Sequence, residues 1–124
     1  MHQATLVANQ IDDVPRVIDT LKLENVDVEA VFWLYTSEAD QWYLYIVSRL
    51  VDQIGITEAY KSVFRVMKKL PDLRIDRFQV KLVGPTDTIA KAIAGFLGVR
   101  RAPSPTEIRS STVGGVYIEH AYVY

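Results

Sequence analysis

The chain has 124 residues, of which 49% are hydrophobic, and this is enough for the core of one domain but not of two. It has no cysteine, which excludes disulfides, thiolate metal sites and cysteine nucleophiles. The net charge of −1 hides a division, because residues 1–60 carry ten acids and three bases, whereas residues 61–124 carry eleven bases and five acids. We therefore expect a dipolar molecule whose halves attract each other, a second copy or charged partners.

The N-terminal residues predict a helix and no targeting signal. Apolar residues at near-helical spacing indicate a helix within residues 1–24, with Pro15 either in its first turn or at a kink. The charged start and long apolar stretch of a signal peptide are missing, and no run reaches about 18 apolar residues. We expect a cytoplasmic protein whose residues 1–124 form one domain.

Residues 26–49 change to a two-residue period and predict a β-hairpin with a polar tip at 36–41. Both faces of this hairpin are apolar, so a helix or a partner must cover the second one. Three interpretations stay open: the N-terminal helix covers the aromatic residues as ordinary core, the aromatic residues form a protein interface, or they stack on nucleic-acid bases. The candidate interface residues are Trp33, Tyr35, Trp42, Tyr43, Tyr45 and Arg49.

Two further helices and a strand follow. A helix from Thr57 to Leu70 places its apolar residues on one face and a basic strip, Lys61, Arg65, Lys68 and Lys69, elsewhere. A short strand follows around residues 78–82. The next helix is capped by Thr86 or Asp87 and ends at Gly98.

Residues 99–115 read as a basic loop that contains proline and glycine, and a last strand follows over residues 116–124. Guanidinium groups and hydroxyls in this loop suit phosphate oxygens, and a solvated connector is the alternative interpretation. The candidate anion-binding residues are Arg100, Arg101, Arg109, Ser110, Ser111 and Thr112.

The order of elements, α-β-β-α-β-α-β, predicts an α+β fold with a four-stranded mixed sheet. Strands joined by a helix are usually parallel neighbours, whereas the hairpin is antiparallel. We expect the helices to pack mainly on one face of the sheet.

Catalytic and metal motifs are weak. With only His2 and His120 available, no paired-histidine metal site forms, and we expect His120 to pack or to hydrogen bond. Asp52, Asp76 and Gln79-Val80-Lys81 faintly suggest a metal-dependent nuclease, but the intervening helix makes chance the better explanation. We expect no cofactor, no metal and no catalytic residue.

The hairpin segment 31–44, the segment 48–52 and the C-terminal segment 115–124 together resemble small bacterial proteins of unknown function. The resemblance covers most of the chain and involves mainly strand and turn residues. It implies a bacterial α+β protein and carries no activity.

Three functions follow as hypotheses. The first is a non-catalytic module that assembles with itself, as a homodimer, or with a protein partner. The second is an accessory protein that binds nucleic acid or a phosphate-bearing ligand through the basic loop and the basic helix. The third and least favoured is an enzyme that uses carboxylates such as Asp52 and Glu119. No membrane partner is expected.

Overall fold

A computed structural model describes residues 8–99 and 105–124 of the chain. Two of the predicted anion-binding residues, Arg100 and Arg101, lie outside these residues. The described helices are α1 (Ala8–Leu23), α2 (Leu50–Ile54), α3 (Ile56–Met67) and α4 (Thr88–Val99), with a short 3-10 helix at Arg77–Gln79. The strands are β1 (Ala30–Thr36), β2 (Gln41–Val47), β3 (Val80–Val83), β4 (Thr106–Val113) and β5 (Val116–Val123).

The strands form a single open sheet in the order β3-β2-β1-β5-β4. β1 pairs antiparallel with β2 and with β5, β4 pairs antiparallel with β5, and only β3 runs parallel to its neighbour β2. The predicted mixed α+β fold is therefore confirmed. The parallel pairing of two strands joined by a helix holds for β2 and β3 but not for the last helix, since the chain leaves β3 at one edge and enters β4 at the other.

The sheet has five strands, so the prediction of four was wrong. Residues 106–113 of the predicted basic loop form strand β4, which pairs with β5 from Thr106 to Val113. Gly114 and Gly115 join these two strands, and both have positive φ angles, 54° and 82°. Such a pair suits the two-residue turn of a tight hairpin. Ile108 and Val113 contact the core, which stabilises a strand that otherwise carries few apolar residues.

Helices cover both faces of the sheet, and this corrects the prediction that they pack mainly on one. On the first face, α1 and α3 cover the side chains that alternate along β1 as Val31, Trp33 and Tyr35. On the second face, α4 packs through Ala90 and Ile93 against the intervening side chains of β1 and against β5. The hairpin is apolar on both sides because each side meets a helix.

The ends of α4 and α1 show how local sequence sets the helices. The Asp87 carboxylate accepts hydrogen bonds from the N–H groups of Ile89 and Ala90, which makes Asp87 the cap of α4. Pro15 lies inside α1, and Val14, Val17 and Leu21 form its buried stripe.

No helix among residues 8–99 and 105–124 has both the length and the hydropathy needed to cross a membrane.

Candidate functional site

The two edges of the sheet differ in how their backbone groups are satisfied. β3, at one edge, is four residues long, and the Tyr60 hydroxyl of α3 accepts a hydrogen bond of 3.0 Å from the N–H of Leu82. The Val83 carbonyl points inward, toward β2, and accepts a hydrogen bond from the N–H of Ser48. Because successive residues of a strand point their backbone groups to opposite sides, the backbone groups of Leu82 point outward. The Tyr60 side chain therefore occupies an outward backbone N–H of this edge. Covering an edge in this way is one means by which proteins block strand addition.

β4, at the other edge, is eight residues long, and the residues that point outward can be assigned. The N–H of Tyr124 donates to the Val31 carbonyl, so alternate residues of β5 bond to β1, and Val123 and Ala121 bond to β4. Their partners Thr106 and Ile108 are therefore bonded inward. The backbone groups of Glu107 and Arg109 lie between these positions and point away from the sheet.

A side-chain contact supports the assignment of outward residues on β4, and two outward N–H groups of this strand remain available for pairing. The Ser111 hydroxyl donates to the Arg109 carbonyl over 2.8 Å, a geometry that needs this carbonyl on the outer side. Within the described part of the chain, no hydrogen bond is formed by the outward N–H groups of Glu107 and Arg109. These groups can pair with a further strand, which is the commonest way for a sheet edge to bind a peptide or another protein.

Opposite charges alternate with an apolar residue along this edge, in the sequence Glu107-Ile108-Arg109. The Glu107 carboxylate accepts a hydrogen bond of 2.6 Å from Arg109 Nε, and His120 Nε2 lies 2.7 Å from the same carboxylate. The hydrogen bond from Arg109, followed by that of His120, holds the pKa of Glu107 below its usual value. Glu107 is therefore ionised at neutral pH, and Ile108 points to the opposite face, under α4.

An aromatic cluster supports the inner side of this strand pair. His120 contacts Trp42 edge to face with ring centroids 4.7 Å apart, and Tyr122 lies 5.2 Å from the His120 ring. Tyr35 packs on Trp42, and its hydrogen bond to Asp40 raises the pKa of Tyr35 to about 12. His120 thus packs and contacts a carboxylate, as the sequence predicts.

Most of the aromatic residues predicted to form an interface are inside the molecule. Trp33, Tyr35, Trp42 and Tyr45 are buried, and Tyr43 is half-buried with Lys81 above its ring. The first three contact the core beneath α1 and α3, whereas Tyr43 and Tyr45 lie on the α4 face. This is the ordinary-core interpretation that the sequence left open.

Arg49 lies apart from these aromatic residues, after the end of β2. Its guanidinium contacts Asp27 over 2.9 Å and Glu29 over 3.0 Å. The hydrogen bond from Arg49 lowers the pKa of Asp27. These ion pairs of Arg49 therefore link the segment before β1 to the segment that follows β2.

The described members of the predicted anion site are spread along β4. Arg109 is held by Glu107, and the Ser111 hydroxyl is bound to backbone. Ser110 has a positive φ of 44°, and the pairing of β4 with β5 is interrupted at Ser110 and Glu119. Thr112 is exposed and pairs with Tyr117. Arg109 and Ser110 line an open pocket of about 540 Å³ that also contains the carboxylate of Glu119, whereas Ser111 and Thr112 lie outside its lining.

The basic strip on α3 is exposed. Lys61 pairs with Glu58 and Lys69 with Glu24, whereas Arg65 and Lys68 form no ion pair with the described residues. These two cations remain open to the phosphate-bearing ligand that the sequence suggests. That alternative stays a prediction.

The carboxylates considered for catalysis are far apart. Glu119 accepts hydrogen bonds from Ser37, at the turn end of the hairpin. Asp52 lies beside Gly84, which follows β3 at the opposite end of the sheet. Since β2 and β1 separate β3 from β5, three strand spacings alone amount to about 14 Å. This exceeds the separation that a carboxylate pair needs for glycoside hydrolysis, about 5–10 Å.

The suggested nuclease arrangement is also not formed. Asp76 caps the 3-10 helix by accepting from the N–H of Phe78, and Lys81 projects to the Tyr43 face. Among residues 8–99 and 105–124, no group of three or more acids and histidines could hold a metal ion.

Sequence reasoning missed the edge strand β4 itself. Pro103, Pro105 and the serine-rich stretch favoured a loop. A usable signal was present, because Gly114-Gly115 between two extended segments is typical of a two-residue hairpin.

Comparisons of the chain with protein-family models, curated proteins and solved structures found no match.

Proposed function

We propose that this chain is a non-catalytic self-assembly module whose copies join through the outer edge of β4. The observation that carries the proposal is the pair of outward backbone N–H groups, those of Glu107 and Arg109, which donate to no described residue of this eight-residue edge strand or of its neighbours. An exposed edge of this kind is a template for strand addition unless side chains or bulges protect it.

The contrast between the two edges supports this assignment. A hydroxyl of α3 occupies the outward N–H of Leu82 on β3, and that strand is half as long as β4. On β4 a side chain occupies an outward acceptor, since the Ser111 hydroxyl donates to the Arg109 carbonyl, but the outward N–H donors of Glu107 and Arg109 stay available for an added strand. The net charge of −1 also places little overall repulsion between two copies.

The test replaces Glu107 by proline. The N–H of Glu107 points outward, so Glu107→Pro removes a donor needed by an added strand while keeping every bond of β4 to β5. The matched control Glu107→Gln keeps the N–H and nearly the same side-chain shape. Light scattering on a sizing column, over a range of concentrations, measures the mass of each form.

We expect the unmodified chain and Glu107→Gln to assemble, and Glu107→Pro to assemble at least about 30-fold more weakly, because the symmetric pair loses two backbone hydrogen bonds. Circular dichroism checks that the proline variant keeps the fold. A monomer at every concentration, or assembly of Glu107→Pro as strong as that of the unmodified chain, would contradict the proposal.

A further inference from the structure

We infer that the second copy pairs antiparallel with β4 about a two-fold axis at Ile108, so that Glu107 lies opposite Arg109 of the second copy and Arg109 lies opposite Glu107 of the second copy. This inference rests on the proposed function and names its partner and register. It predicts a closed dimer with a continuous ten-stranded sheet, because a two-fold axis uses the same edge of both copies.

The backbone restricts which axes are possible. In an antiparallel pair, residues that exchange hydrogen bonds lie opposite each other, so Glu107 and Arg109 must face outward positions of the second copy. A two-fold axis must therefore pass through a residue and not between two residues. With the axis at Ile108, positions 107 and 109 form two such pairs and four N–H to carbonyl bonds. In two of these bonds the Arg109 carbonyl uses its second lone pair, because the Ser111 hydroxyl already donates to this oxygen.

Charge then selects among the remaining axes. An axis at Glu107 places two glutamates opposite each other and pairs Arg109 with Pro105, which has no N–H. An axis at Arg109 places two arginines opposite each other. Only the axis at Ile108 places opposite charges across both outward pairs, and like charges directly opposite are destabilising.

The side chains have atoms available for these cross-strand contacts. The contacts of Glu107 with Arg109 and with His120 both use Oε2, and Arg109 contributes Nε to its contact. Oε1 of Glu107 and the terminal amino groups of Arg109 take no part in these two contacts, although the Tyr122 hydroxyl also interacts with both side chains. Both side chains are accessible, since Glu107 is 39% and Arg109 69% exposed.

Pairing with the other edge of a second copy is less favourable. Strand β3 would have to release its Leu82 N–H from the Tyr60 hydroxyl. A contact between β4 of one copy and β3 of the next would also leave free edges at both ends and produce open chains of molecules. The Ile108 axis leaves only the two protected β3 edges exposed.

Charge reversal tests the register. Glu107→Arg alone places two arginines opposite each other at each pair, and Arg109→Glu alone places two glutamates there. We expect each variant to dimerise at least about tenfold more weakly. The double variant Glu107→Arg with Arg109→Glu restores opposite charges, and so does an equimolar mixture of the two single variants. Both should recover the unmodified affinity within about threefold.

Sedimentation velocity with one variant fluorescently labelled measures the mixed dimer. Lys91→Glu, an exposed charge reversal on α4, controls for the change of net charge in Arg109→Glu. Full-strength assembly of the single variants, or a mixture that does not recover affinity, would overturn the Ile108 register. If Glu107→Pro still abolishes that assembly, self-assembly through β4 stands and only the register fails. If the unmodified chain never assembles, both fail.

Discussion

Trp33 shows how a single residue can be placed on a strand from sequence while the element that covers it stays open between alternatives. It is fully buried, and Val14, Val17 and Leu21 of α1 belong to the same core cluster. The alternation that assigned it to a strand reflects local backbone geometry. Whether a helix or another molecule covers that face depends on the path of the whole chain. Local periodicity carries no information about that path.

Asp27 and Arg49 provide a prediction at the residue scale. Asp27 accepts hydrogen bonds from the backbone N–H and from the guanidinium of Arg49, and the pKa of Asp27 is lowered from 3.8 in the folded protein. A carboxyl with a lowered folded pKa contributes stability above its unfolded pKa and loses it as the pH falls through the folded value.

We therefore expect Asp27→Asn to melt at a lower temperature than the unmodified protein at a pH of about 7. The difference should shrink as the pH falls below about 4 and vanish below the folded pKa, because the native carboxyl is then neutral. Thermal unfolding over this pH range measures it. Glu38→Gln, at an exposed position of the hairpin turn, is the control. A difference that stays constant with pH would contradict the role assigned to Asp27.

At the scale of elements, the sequence analysis missed strand β4 and did not anticipate that α4 covers the face opposite α1 and α3. An edge strand that is solvated on one side needs few apolar residues, so β4 has only Ile108 and Val113 to signal it. When β4 is missing from the predicted elements, the last helix joins β3 directly to β5, and the sequence then predicts that these two strands are neighbours. The hairpin β1–β2, by contrast, was predictable because its alternation is strong and its turn is polar.

The turn between β4 and β5 provides a prediction at this scale. A Cβ atom on Gly114 would lie 3.0 Å from Cα of Ala92, so this turn packs directly on α4. Gly115 has a similar positive φ, but a Cβ there meets nothing within 4 Å. Gly114→Ala therefore combines backbone strain with a clash, whereas Gly115→Ala has the strain alone.

We expect Gly115→Ala to lower the free energy of unfolding by about 1 kcal/mol and Gly114→Ala by about 2–4 kcal/mol. Urea unfolding of the two variants measures the difference. Equal losses would show that the turn does not pack against α4.

At the scale of the whole molecule, the charge division does not produce extensive pairing between the halves in residues 8–99 and 105–124. Among the described residues, Lys61–Glu58 and Lys69–Glu24 join the two halves, while Arg16, Arg49 and Arg109 pair with acids of their own half. The contact that we propose with a second copy uses one glutamate and one arginine on β4, Glu107 and Arg109. Net charge per half could not identify them, because the selection depends on which backbone groups point outward.

The size of the proposed contact sets the expected affinity. Pairing through one edge strand belongs to the small class of interfaces, below about 1,200 Å². We expect dimerisation in the micromolar range, so that the populations of monomer and dimer change over accessible concentrations.

The most direct measurement is residue-resolved amide hydrogen exchange at several protein concentrations. The inward amides of Thr106 and Ile108 should be protected throughout, since they bond to β5. We predict that the amides of Glu107 and Arg109 exchange rapidly in dilute solution and become protected as concentration rises, while the amide of Glu38 in the hairpin turn does not change. Rapid exchange of Glu107 and Arg109 at every concentration would contradict assembly through the β4 edge.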